Sequence, residues 1–432
     1  MFIGPQTSVG NMYLGPYYYY FIAPALWLGN YNPLGPAIFV TLLGILTIYL
    51  TFIIVKKWFN PHIAYISAFL YAISPVTVKY STFSWNPNIM PLFALLFVYF
   101  FFNAIFDKKY NHFIWAMLCF IMCLNSHYLA LLLLVFSGAY WLFTYKKAYL
   151  KPTLIAFIIL FISFTPQILF DLKHRGQNIG ALTTFFTKRE TTVSVKAYKA
   201  LPKMFPLFDQ ITNSMFLGNI KQYPNIFSII FLVLLIYIIV KKRQSKYFWL
   251  IFFWNTSALI GLGLYKHHIY DHYYGIIYIS LIILLSIIIY EIKYFGYLLL
   301  LLLTYFSTIN SNFFKIPQNQ IQHAKVLAQS IRNDASNSST KYNITMLGAY
   351  NDFRAQAIRY FLETNNPNLL GQENYPEADI LYISYEDPSR WPLKEKTDIW
   401  EIQSLGKLKI DKEYKSADQT TIIKLVKEKN EK

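Results

Sequence analysis

Hydrophobic residues in this chain gather in long unbroken runs rather than recurring at a core-facing period. The runs fall at about residues 36–55, 63–78, 89–106, 113–143, 153–170, 226–240, 248–265, 273–290 and 294–309. Most approach the roughly 20 apolar residues that a helix needs to cross a bilayer. Beyond about residue 310 the pattern changes. Helical spacing over 320–333 and 352–364 alternates with strand-like runs at 343–347, 379–384, 400–405 and 420–425. The pattern predicts an α-helical polytopic membrane domain over residues 1–310 and a small α/β domain over 311–432.

Short basic clusters punctuate the runs at Lys56-Lys57, Lys108-Lys109, Lys146-Lys147 with Lys151, and Lys241-Lys242-Arg243 with Lys246. The positive-inside rule puts them all in the cytoplasm. The run 113–143 has such a cluster on both sides, so it must turn back, and Asn125-Ser126-His127 is the polar break where it does so. About ten membrane segments follow. The same count places residues 79–88, 171–225, 266–272 and the α/β domain outside, with helix-friendly sequence in the middle of 171–225. It also places the residues before Pro36 outside, with the Tyr17–Tyr20 run in an interfacial belt, and it expects a transmembrane helix ahead of Met1.

Composition supports the membrane assignment. Of 432 residues, 55% are hydrophobic and 14% charged, against about 25% charged in a soluble domain. The net charge of +17 lies entirely before Ile316, where 23 Lys and Arg meet 6 acids, while the tail balances 16 against 16. Basic loops of this kind set orientation and bind lipid or phosphate head groups, so nucleic acid is not implied as a partner. Cys119 and Cys123, four residues apart in an apolar run, read as one buried helix face.

The external helix ends hold the unusual polar residues. In Tyr265–Tyr274, Lys266, His268, Asp271 and His272 crowd one helix entrance, and ionisable groups at that density near a bilayer are functional candidates. His268 and His272 have the spacing of two metal ligands on a helix, but no second ligand set accompanies them, so neither a metal nor a cofactor is expected. Asp171, Lys173, His174 and Arg175 offer donors for a phosphate, or equally for lipid head groups. Trp85, Asn86 and Asn88 combine a stacking surface with amides suited to a sugar, and also make an ordinary helix-entry turn around Pro87. His127 reads as a buried turn satisfying backbone groups at the break.

Gly15-Pro16-Tyr17 to Tyr20, Ser84-Trp85-Asn86-Pro87-Asn88, His127-Tyr128, Phe170 to His174 and Asp271-His272-Tyr273 occur in an order that resembles GT-C membrane glycosyltransferases. The likeness is to the branch related to protein mannosyltransferases and aminoarabinose transferases. It implies an integral plasma-membrane enzyme that transfers a sugar from a polyprenyl-phosphate donor to an external glycan, lipid or protein acceptor. The family's base is a carboxylate in the first external loop, and no Asp or Glu precedes Asp107 here. By that resemblance the chain binds donor without transferring it, with Asp271 as the one fallback base. A flippase for lipid-linked glycans and an inactive carrier-binding subunit are the rival readings, although the one-sided polar groups and the single soluble tail differ from a transporter's paired halves.

Overall fold

The computed structural model describes residues 1–7, 12–187, 197–220, 225–242, 244–311, 313–315, 319–336, 340–348, 352–363, 368–385 and 399–428. It divides into two compact units, Met1–Lys315 and Ile316–Lys432. The first is helical: α1 Tyr17–Leu28, α2 Leu34–Trp58, α3 Pro61–Ile73, α4 Pro75–Ser81, α5 Met90–Phe106, α6 His112–Ser126, α7 Leu131–Phe143, α8 Leu150–Ser163, α9 Thr165–Lys173, α10 Gln177–Thr187, α11 Leu201–Phe216, α12 Ile226–Lys241, α13 Lys246–Gly263, α14 Tyr278–Glu291 and α15 Tyr294–Asn310. Three helical stretches, Leu34–Trp58, Asn86–Phe106 and Lys147–Lys173, are long and apolar enough to cross a membrane alone among the described residues. The pair α3 and α4 passes the same test together, bent by 60° at Ser74. Five further apolar helices are shorter.

Local chemistry explains the boundaries. Asn60 Oδ1 accepts the Ile63 N–H at 2.9 Å with Pro61 behind it, which starts α3, and Ser245 Oγ does the same for α13 at Phe248. Lys56 and Lys57 occupy the last turn of α2, where cations complement the helix dipole. Apolarity all round an element means burial all round: every residue of α14 from Tyr278 to Ile289 is buried, making it the central helix. By contrast α2 exposes Ile38, Leu42, Ile45 and Tyr49. The tyrosine run, expected in an external interfacial belt, begins α1, with Pro16 in the N-cap position.

The basic clusters gather at one end of this unit. Lys57 Nζ reaches Asp107 Oδ2 at 2.8 Å, Lys246 lies over the Phe106 ring, and Lys241 and Lys242 both pair with Glu291, at 2.8 and 2.7 Å. Arg243 falls outside the described residues. The run 113–143 does fold back: α6 ends at Ser126, a short turn follows His127, and α7 returns. Phe113 at its start and Trp141 near its end both pack on Tyr149. The middle of 171–225 forms α10 and α11, with residues 188–196 and 221–224 outside the described ones.

The second unit holds α16 Gln320–Ala335, β1 Tyr342–Leu347, α17 Gln356–Glu363, β2 Ile380–Tyr385, α18 Trp400–Gln403, β3 Leu408–Lys415 and β4 Thr421–Lys427. The sheet runs β1-β2-β4-β3, with β1 and β2 parallel and the other pairs antiparallel. Tyr382 faces the core under α16 and α17, and Leu381 and Ile383 face a second core with Ile402. The strand expected at 400–405 is a helical turn. The strand itself comes later, as the edge strand β3, whose largely exposed side chains leave no buried alternation to read. α17 begins four residues after Asp352, whose carboxylate accepts the Gln356 N–H.

Candidate functional site

At the end of the helical unit opposite the basic clusters, the chain between α13 and α14 closes with one tight turn, Asp271–Tyr274. Three elements fix it. Tyr274 donates its hydroxyl to Asp271 Oδ1 at 2.5 Å, Ser214 of α11 donates to the same oxygen at 3.1 Å, and Lys79 of α4 stands 3.9 Å from Oδ2. Tyr278 donates to the Asp271 carbonyl, and the Gln210 amide to that of Ile269.

The turn aims His272 at an aromatic group. Its ring lies 4.4 Å from Trp85, stacks on Tyr270, and touches Tyr80 and His127. Burial pushes the His272 imidazole down to about 4, with Asp271 opposing and Lys79 reinforcing the shift. His127 is pushed down to about 3, again chiefly by burial. Its Nδ1 accepts the Leu129 N–H and caps the turn that reverses the doubled run, while its half-buried ring packs on Tyr273. His268 turns edge-on to Tyr270 on a non-helical stretch, so the four-residue spacing to His272 does not place both on a helix face.

Trp85, Asn86 and Asn88 divide by role. The Asn86 amide is buried and donates to the Ser126 carbonyl at 2.6 Å, which ties the segment to the end of α6. Trp85 stays 37% exposed, stacked on Phe83. Asn88 donates its NH₂ to the Phe83 carbonyl, while its Oδ1 is buried with no hydrogen-bond partner among the described residues. Asn88 is among the residues that line a narrow cleft, together with Val40, Leu43 and Gly44 of α2 and with Tyr71, Tyr80, Ser81, His272 and Tyr278.

The Asp171 group is built differently. Asp171 is buried, and its two oxygens accept the N–H groups of Asn178 and Ile179 at 2.6 and 3.1 Å, so it anchors the first turn of α10. His174 stacks on Phe170 and donates Nδ1–H to its carbonyl. Lys173 and Arg175 are exposed and make no ion pair among the described residues. Tyr13 joins the two groups: its N–H donates to Asn178, and its carbonyl accepts from Tyr128, the neighbour of His127. Lys79, Tyr80 and Ser214 are the residues that sequence reasoning missed. Lys79 carried a signal, being the first cation of the expected external segment 79–88. Ser214 carried none.

Residues 14–170 match the sequence profile of the dolichyl-phosphate-mannose-protein mannosyltransferase family. No curated protein matches the chain. Among solved structures it is similar to ArnT from Cupriavidus metallidurans in the apo state, with a TM-score of 0.62 at 10% identity, covering 98% of this chain and 93% of that one. The undecaprenyl phosphate-bound form of that ArnT gives 0.60 at 10%, covering 98% and 94%. The oligosaccharyltransferase of Archaeoglobus fulgidus, in complex with Zn and sulfate, gives 0.50 at 13%, covering 89% and 60%. In sequence over residues 14–170, and in fold over nearly its whole length, the chain resembles GT-C membrane glycosyltransferases.

Proposed function

We propose that this protein is a plasma-membrane glycosyltransferase that moves a sugar from a polyprenyl-phosphate donor to an acceptor at the extracytoplasmic face. The carrying observation is the meeting of Lys79, Asp271, His272 and Trp85 at one helix end, where His272 also lines a cleft walled by α2, a helix that exposes apolar side chains elsewhere along its length. In this reading the chain crosses the bilayer about ten times. The basic end is cytoplasmic, and the unit after residue 315 lies outside with the candidate site.

The reaction needs one bond made and one broken. An acceptor oxygen forms the new bond to the anomeric carbon, the bond from that carbon to the phosphate oxygen breaks, and the carrier leaves as polyprenyl phosphate. The acceptor proton goes to a carboxylate, and a cation steadies the phosphate. Asp271 Oδ2 and Lys79 Nζ are assigned these tasks, with Lys266, His268, Lys173, His174 and Arg175 as further groups around the donor and His272 and Trp85 beside the sugar. Turnover of polyprenyl-phosphate sugars by membranes carrying the chain tests the reading. A second reading, a carrier-binding subunit without turnover, draws on Asp271 already having Tyr274, Ser214 and Lys79 as partners. Binding without turnover across a panel of donor sugars and acceptors would select it.

A further inference from the structure

The bend between α3 and α4 is built from residues that also tie α4 to α11. Ser74 precedes Pro75, which steers it out of helical geometry, and its ψ of 125° turns the chain. Pro75 has no N–H to give the Tyr71 carbonyl, and Thr77 Oγ1 donates there instead at 2.5 Å. The bend is fixed by its own residues, and one donor is left over. The hydroxyl of Ser74, a buried residue, reaches across to the Met215 carbonyl of α11 at 2.7 Å.

Both ends of that bond lead to Asp271. On one side α4 carries Lys79, which faces Asp271 Oδ2, and Tyr80, whose ring touches Trp85 and His272. On the other, Ser214 immediately precedes Met215 and donates to Asp271 Oδ1. The gap of 3.9 Å between Lys79 and Asp271 is too loose to set its own width, since half-exposed pairs of this kind hold little. At the far end of α4 the Thr41 hydroxyl is shared between the Ser81 carbonyl and the Ala37 carbonyl of its own helix, which is the weaker tie.

The last carbonyls of a helix lack partners within it, so the buried end of α11 needs donors from its neighbours in any case. Ser307 of α15 serves Phe216 in the same way at 2.9 Å. What separates the two serines is where their helices lead. Among the described residues α15 brings no group to Asp271, whereas α4 brings Lys79.

We propose that Ser74 is a positioning residue: its bond to Met215 sets α4 against α11, and so holds Lys79 at the distance from Asp271 at which the two can serve phosphate and acceptor proton. The inference rests on the transferase reading, in which Lys79 meets the carrier phosphate.

The test is equilibrium binding of undecaprenyl phosphate to the purified full chain, in a cycle of Ser74→Ala, Lys79→Gln and the two together. Ser74→Ala alone is expected to weaken binding about three- to tenfold and to flatten its salt dependence towards that of Lys79→Gln. With Lys79→Gln already present it should change the affinity by less than about twofold, because a residue that acts through Lys79 then has nothing left to act on. Ser307→Ala removes the twin bond, and it should lower the unfolding midpoint while leaving the affinity unchanged. Ser74→Cys, of nearly the same size but a weak donor, takes the place of Ser74→Ala in the cycle if the latter does not fold. Equal losses in both backgrounds, no loss at all, or a loss shared by Ser307→Ala would overturn the proposal. Binding by Lys79→Gln as tight as that of the native chain would instead overturn the assignment of the phosphate to Lys79, and this inference with it.

Discussion

Lys79 Nζ stops 3.9 Å from Asp271 Oδ2, whereas Tyr274 brings its hydroxyl to 2.5 Å from Oδ1 of the same carboxylate. One oxygen is bound within the protein, and the other faces a half-exposed lysine across a loose gap. Exposed pairs this long are weak, so a lipid phosphate can draw the lysine away and leave Oδ2 to an acceptor proton. Asp271→Asn keeps an oxygen for Tyr274 and removes the base. It is expected to cut turnover by at least about 100-fold while donor binding stays within about threefold. Full turnover by Asp271→Asn would mean that the base lies elsewhere.

Lys79→Gln is expected to weaken undecaprenyl phosphate binding by about 10- to 100-fold, since a charge-assisted hydrogen bond contributes about 1.5–3 kcal/mol. The native affinity should also fall with added salt more steeply than that of the variant. Equal salt slopes would place the phosphate away from Lys79.

Most of this frame was legible in the sequence because its signals are local. Basic pairs beside apolar runs marked one end, and Asn125-Ser126-His127 marked the reversal between α6 and α7. In the second unit β1, β2 and β4 announced themselves by short runs rich in β-branched and aromatic residues. β3 did not, because an exposed edge has no buried face to write into the sequence. Nor could sequence tell the acids apart. Asp171 and Asp271 both sit beside cations and histidines, yet one is consumed by two main-chain N–H groups and the other faces Lys79. Two partners of Asp271, Lys79 and Ser214, come from α4 and α11, 192 and 57 residues away.

Asp171 is therefore expected to matter for stability rather than for the carrier. Asp171→Ala leaves the first N–H groups of α10 unmatched in a buried place and should cost about 1–2 kcal/mol. Thermal unfolding of the purified chain would show a lowered midpoint, with affinity for undecaprenyl phosphate unchanged. A stable variant with weakened carrier binding would return Asp171 to the site.

The exposed cations next to it carry a separate expectation. Tyr13 and Tyr128 link the Asp171 group to His127 and so to His272. Double reversal, Lys173→Glu with Arg175→Glu, should weaken carrier binding by about tenfold if one field serves the departing phosphate. An unchanged affinity would assign the two cations to bulk lipid head groups.

The histidines predict an acid-sensitive fold. In the folded chain His272 sits at about 4 and His127 at about 3, both below the ordinary value near 6.5 that each regains on unfolding. Between these limits the unfolded chain binds more protons, so stability rises with pH across the window. The contribution is complete above about pH 6.5 and is lost as pH falls towards 4 for His272 and 3 for His127. The unfolding midpoint should drop between pH 7 and pH 4.5, and His272→Gln should flatten that drop. A midpoint independent of pH would show the imidazoles to be solvated.

Orientation is the remaining expectation, and the doubled run makes it specific. Phe113 and Trp141 share Tyr149 as a neighbour, so Lys109 and Lys147, which flank the run, belong at one end of the bundle. Lys57 and Lys242 join that end through Asp107 and Glu291, while Trp85 and His272 meet at the other. Single cysteines at Lys57, Lys109, Lys147 and Lys242 should resist a membrane-impermeant maleimide in intact cells and react once the membrane is opened. Cysteines at Trp85, His174 and His268 should react in intact cells. Labelling at Lys109 on one side and Lys147 on the other would require a single crossing between them. That would contradict the turn at His127 on which the placement of His272 depends.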